Sequence, residues 1–142
     1  MLEREELAQR ATRIGEYIRE RLNETLSGFE MVEEVRGLGL FSGIAFRAPK
    51  KMSLRVAFEA FARVHPAMFG QVVVMRLFRD HRILTQVCGN NFMVLKVAPP
   101  LTIREDQADK FVESIRAVVE IAHSPTVFWS EALGLARRAA GL

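Results

Sequence analysis

At 142 residues, with 49% hydrophobic and 26% charged residues, the chain has the size and make-up of one folded domain. Two independent cores, a disordered tail and a disulfide scaffold are excluded. Twenty basic residues against seventeen acidic ones leave a net charge of only +3.

The cations alternate with acids, and only Lys50-Lys51 and Arg137-Arg138 adjoin. A phosphate-tracking surface needs clustered charge, so a nucleic-acid partner is not expected. The single cysteine, Cys88, cannot close an internal bridge, and no apolar run is long enough to span a membrane. The start Glu3-Arg4-Glu5-Glu6 is too charged for a secretory leader. The expectation is a cytoplasmic protein without a membrane partner.

Residues 2–26 read as one long helix. Leu7, Ala11, Ile14, Ile18, Leu22 and Leu26 recur at steps of three and four, with Arg and Glu on the other side. Ser27-Gly28 ends it. A strand is expected from Leu38 to Phe46, with Leu38, Leu40, Ile44 and Phe46 on one face by period two. Gly37, Gly39 and Gly43 interrupt it and point to close backbone approach or a bulge. After a loop over 47–53 come a helix at about 54–64 and another opened by Pro66 and running to about Arg79. Ile83–Cys88 and Phe92–Val97 form a hairpin around Gly89-Asn90-Asn91, stopped by Pro99-Pro100. Thr102-Ile103-Arg104-Glu105 matches a capping box. The helix it opens carries Ala108, Phe111, Val112, Ile115, Val118, Val119 and Ala122 as its apolar stripe. Ser124-Pro125 breaks that helix, and a short last helix from Val127 to Ala139 presents Phe128, Trp129, Leu133 and Ala136.

The expected fold is α+β: a three-stranded, mostly antiparallel sheet packed against helices, with a long N-terminal helix. The chain divides into a linker helix over 1–27, a small α+β body over 28–123 and a helical tail over 124–142.

Residue patterns alone complete no active site. His65, His81 and His123 fall on separate elements without ligand spacing, so no metal site is expected. Cys88 reads as a small core residue, and His81 as a partner for the carbonyls at a helix end. Arg36-Gly37-Leu38-Gly39 is not a dinucleotide loop, because Ser42 stands where the third glycine belongs and a strand follows.

Two motifs carry more. Val35-Arg36-Gly37-Leu38-Gly39-Leu40-Phe41-Ser42-Gly43-Ile44 resembles the V-R-G-x-G-L-x-x-G-I strand of class III aminotransferases, the fold type I pyridoxal-phosphate enzymes that include the acetylornithine, ornithine and putrescine aminotransferases. Val94-Leu95-Lys96-Val97-Ala98-Pro99-Pro100-Leu101-Thr102-Ile103 is similar to the V-x-R-x-x-P-P-L-x-I segment near their C-terminus, and 105–122 fits their closing helix. The resemblance covers roughly residues 5–122, and the tail after Ser124 is less typical.

The resemblance implies the C-terminal small domain of the fold, whose parent moves an amino group from an ω-amino donor (a diamine or amino acid) to a 2-oxo acid. It implies pyridoxal 5'-phosphate in the parent. Since the large domain would cover the first helix and the sheet, Leu7, Ile14, Ile18 and Leu22 are expected to lie bare in this piece, and a homo-oligomer is expected to cover them. The family's Schiff-base lysine belongs to the large domain. Lys50, Lys51, Lys96 and Lys110 are the only lysines here, and none has its setting. No catalytic residue, no bound cofactor and no activity are therefore expected of this piece alone. Lys96 stands where the family has a carboxylate-binding arginine, and an ammonium pairs with a carboxylate as a point charge without the bidentate fork. Lys96 is the implied substrate-binding residue and Arg36 a second candidate; a solvated strand residue and a structural hydrogen bonder are their plain alternatives. The rival reading is a non-enzymatic module that binds a ligand or associates through an uncovered apolar face.

Overall fold

The computed structural model describes residues 2–124, 128–130, 133, 134 and 138, with side chains from Glu6 onward. The elements run α1 (Leu2–Leu26), β1 (Val32–Leu38), β2 (Phe41–Phe46), α2 (Met52–Val64), α3 (Met68–His81), β3 (Gln86–Cys88), β4 (Asn91–Val97) and α4 (Glu105–Ala122). The strands form one antiparallel sheet in the order β1-β2-β4-β3.

The sheet has four strands, not three. The stretch expected as one strand is a hairpin, with Leu38 paired to Phe41 across Gly39-Leu40. Gly39 sits at φ 54°, as the first turn position of a II′ hairpin requires. Its upstream arm, β1, is an edge strand of Val-Glu-Glu-Val-Arg-Gly-Leu, mostly exposed on both faces, so it carries no alternating signal. Leu38 is consequently 87% exposed, while Leu40, Ile44 and Phe46 are buried as expected.

The core lies between the sheet and the helices. One cross-strand row, Val35–Ile44–Leu95–Val87, faces it, and Ile44 and Leu95 are fully enclosed. From α4, Val112, Ile115, Val118 and Val119 pack against it, and from α3 Val72, Val73 and Leu77. Ile14, Ile18, Leu22 and Leu26 of α1 are all buried within the chain. The bare apolar stripe expected on this helix is thus absent, and only Leu7 of that stripe remains exposed, at 44%. Self-association through α1 loses its basis, because the chain covers the helix with its own sheet and α4.

Polar clamps fix α1 along its length. Arg10 donates to the carbonyls of Leu101 and Ile103, and Arg19 to the carbonyl of Gly39 at 2.6 Å. Tyr17 donates to Asp109 on α4 at 2.7 Å, and that bond raises the phenol above its ordinary pKa. Gly15 lies against the hairpin tip: a β-carbon there would stand 1.7 Å from the Gly39 carbonyl oxygen.

Helix ends depart from the expectations in detail. The backbone N–H groups of Lys50 and Lys51 point to the Glu30 carboxylate, which serves the start of α2 from a distant loop. The N-cap of α4 is Arg104, whose N–H donates to the Gln107 side chain, so Thr102 is not the cap. At the end of α3 it is Arg82, not His81, that reaches back, donating to the Arg79 carbonyl. Arg82 itself adopts the left-handed conformation at φ 60°.

Asp80 accepts from Arg79 at 2.7 Å and from the buried Arg76 at 3.3 Å. The Arg79 bond is the main cause holding its carboxyl below the usual range. A carboxylate with a depressed folded pKa stabilises above its unfolded value, about 3.9, and that contribution is lost as pH falls through the folded value. Acid titration of Asp80→Asn followed by denaturation should therefore show a shallower loss of stability below about pH 4 than the parent chain. Identical acid limbs would contradict this role.

On the aromatic side, Phe128 and Trp129 bury against Phe58, Phe61 and Phe69 of α2 and α3. The backbone is helical at Phe128–Ser130, at 133, 134 and at 138; the remaining positions of the expected tail helix lie outside the described residues.

Candidate functional site

The second face of the sheet carries the candidate residues. Period-two alternation along β4 sends Leu95 and Val97 to the core and leaves Lys96 on the opposite face. The pairing Arg36↔Gly43, Gly43↔Lys96 and Lys96↔Gln86 then sets four residues in one row across all four strands. Arg36 and Lys96 thus share a face, separated by two strand spacings, about 10 Å between backbones.

Gly43 keeps the space between them open. A β-carbon there would stand 3.0 Å from Cγ1 of Val94, whose side chain lies on the same face. Arg36 forms an ion pair with Glu34, two residues back, with both side chains largely exposed. Lys96 is half-buried and forms no ion pair among the described residues. A recess of about 410 Å³ beside it is lined by Leu84, Thr85, Gln86, Lys96 and Ala98. The Thr85 hydroxyl donates to the Lys96 carbonyl and ties the edge of the recess to β4. Beyond the row, Leu38 and Phe41 form an exposed apolar pair at the hairpin tip, 87% and 71% accessible.

Two members of this face escaped the sequence reading. Gln86 falls in the row only because of the β3–β4 register, and Phe41 only because Gly39-Leu40 is a turn. The signal for the turn was present, since Gly-X between two extended stretches is the II′ signature.

Chemically, the face offers an anion the Lys96 ammonium beside a floor without a side chain, while Arg36 is already paired with Glu34. Lys50, Lys51 and Lys110 are exposed, and Lys96 stands on an open sheet face. These residues do not fit the covalent attachment and phosphate enclosure that pyridoxal phosphate requires. Among the described residues no group of three metal-ligating side chains comes together.

A family model described as aminotransferase class-III matches residues 1–119. The chain is 32% identical over 116 residues to an alanine–glyoxylate aminotransferase 2-like protein of Drosophila melanogaster, covering 82% of this chain and 22% of that one. It is 30% identical over 122 residues to an alanine/serine racemase of Pyrococcus horikoshii, covering 84% and 23%. Among solved structures it is similar to the ornithine delta-aminotransferase of Plasmodium falciparum, with a TM-score of 0.59, 25% identity, and coverage of 84% and 25%. The chain thus spans about a quarter or less of the length of the relatives it matches.

Proposed function

Because this chain belongs to the class-III aminotransferases, we propose that it is the C-terminal small domain of such an enzyme. The whole enzyme moves an amino group from an ω-amino donor to a 2-oxo acid. Pyridoxal phosphate, its Schiff-base lysine and the phosphate cup belong to the remainder of that enzyme, and this piece alone is inactive. In this reading residues 1–27 link to the remainder, 28–123 form the small domain and 124–142 its tail. The enzyme is a cytoplasmic homo-oligomer, and the apolar pair Leu38 and Phe41 is a surface for a neighbouring domain or second copy to cover. Among the described residues no helix is long and apolar enough to cross a membrane.

The observation that carries the reading is the shared row of Arg36 and Lys96 on the face turned from the chain's own core. Lys96 receives the substrate carboxylate as a point charge, and Arg36 stands as the second cation of that face. A lone ammonium there suits an amino donor that brings no adjacent carboxylate to the site.

Lys96→Ala in the whole enzyme tests this. The oxo-acid half-reaction should lose roughly ten- to a hundredfold in its specificity constant, the worth of one charge-assisted contact. A diamine half-reaction should lose much less. Near-parental constants for both halves would return Lys96 to a solvated strand position. The isolated chain, treated with pyridoxal phosphate and borohydride, should label no single lysine stoichiometrically; specific labelling with turnover would refute its inactivity.

A further inference from the structure

A second concavity, of about 380 Å³, opens where the end of α3, the end of β4 and the first turns of α4 meet. Its floor is apolar, built from the buried Ile18, Val97, Ile103 and Ala108 with Phe111 beside them. Around its mouth stand Arg82, Lys96 and Lys110, with the His81 imidazole, and no carboxylate lines it. None of these three cations forms an ion pair among the described residues.

The imbalance has a local cause. Two carboxylates adjacent in sequence to its lining are already engaged elsewhere: Asp80 by Arg76 and Arg79, Asp109 by Tyr17 and Arg21. Arg82 also holds its place at some expense, because an L-residue other than glycine is disfavoured in the left-handed region. Its side chain is anchored by donation from Nη1 to the Arg79 carbonyl, and the residue lines the cleft. The volume falls in the range of small-molecule sites, and an apolar floor with a few polar groups is their usual make-up.

We propose that this cleft binds a small organic anion, with its carboxylate or phosphate head between Arg82 and Lys110 and a compact apolar body on the Ile18, Val97 and Ile103 floor. The site goes beyond the carboxylate receptor on the outer sheet face. The two adjoin, sharing Leu84, Thr85, Lys96 and Ala98, but Arg82, Lys110 and the apolar floor line this cleft alone.

The test is an NMR titration of the ¹⁵N-labelled 142-residue chain with phenyl phosphate, benzoate and inorganic phosphate. Phenyl phosphate or benzoate should shift Ile83, Ile103, Gln107 and Phe111, which line this cleft and not the recess on the outer face, saturably, with a Kd on the order of 1 mM or tighter. Whichever of the two binds more tightly names the head group. Inorganic phosphate should bind at least several-fold more weakly, since it leaves the floor uncovered. The double variant Arg82→Gly, Lys110→Gln should weaken binding about tenfold. It should stay folded, because glycine favours the left-handed position and Lys110 is exposed. Equal affinity in the double variant, inorganic phosphate binding as tightly as the organic anions, or no saturable shift would each overturn the proposal. Shifts confined to Arg36, Gly43 and Gln86 would overturn it while leaving the carboxylate receptor standing. Failure of the Lys96→Ala kinetics would leave this cleft untouched.

Discussion

Trp129→Ala should cost about 3–5 kcal/mol, the usual toll for emptying a buried aromatic site. The indole is stacked on Phe61 at 5.2 Å and 17°, meets Phe128 edge-on at 5.2 Å, and donates Nε1–H to the Ala122 carbonyl at 3.1 Å. It therefore binds α2 to the end of α4 by packing and by a hydrogen bond at once. Domain stabilities are only about 5–15 kcal/mol, so the variant should lose a large share of its stability. Trp129→Phe separates the two contributions: it keeps most of the stack, loses the donor, and should cost about 1–2 kcal/mol. Urea denaturation followed by far-ultraviolet circular dichroism measures both. A loss below about 1 kcal/mol for Trp129→Ala would mean that the tail rests on the domain without holding it. The result matters beyond stability because Phe128 and Trp129 lie outside the span matched by the family model.

Gly15→Ala should destabilise the chain by about 2–3 kcal/mol, against the helical preference of alanine. Propensity alone favours the change by about 1 kcal/mol at a helix interior. The added carbon, however, would stand 1.7 Å from the Gly39 oxygen and 2.4 Å from its carbon. Both belong to backbone, so no rotamer relieves the clash. Either α1 moves off the sheet or the hairpin tip moves and breaks the Arg19 bond to the same carbonyl. A melting temperature lower by roughly 8 °C is the expected readout for a chain of this length. An unchanged or higher value would show that the helix and tip do not press together.

The helices were legible because their burial follows a single period. The stripe on α1 set its bounds at 2–26, and that on α4 matched 105–122 closely. The β3–β4 hairpin was legible from its turn residues and the proline stop, although only Gln86–Cys88 of the first arm joins the ladder. What failed was β1, where Glu33, Glu34 and Arg36 at a sheet edge erase alternation and only Gly39-Leu40 marks the fold-back. The exposure of α1 was misjudged for a different reason. Covering that helix depends on tertiary contacts with β1 and α4, which no local pattern reports. Likewise Lys96 could be assigned a face from alternation, but its alignment with Arg36 needed the register of three strands. The cleft at Arg82 had no sequence signal, since an arginine does not announce a left-handed conformation and Asp109 is engaged by Tyr17 and Arg21 from a distant helix.

The clamps along α1 have a mechanical corollary. Arg10 grips the turn that follows Lys96, and Arg19 with Gly15 grips the tip of the hairpin that bears Arg36. A 25-residue helix is a stiff rod of about 37 Å, so a rotation applied at one end is delivered to the other. Both cations of the outer face are therefore tied to one shaft, Lys96 through the turn that follows its strand and Arg36 through its hairpin tip.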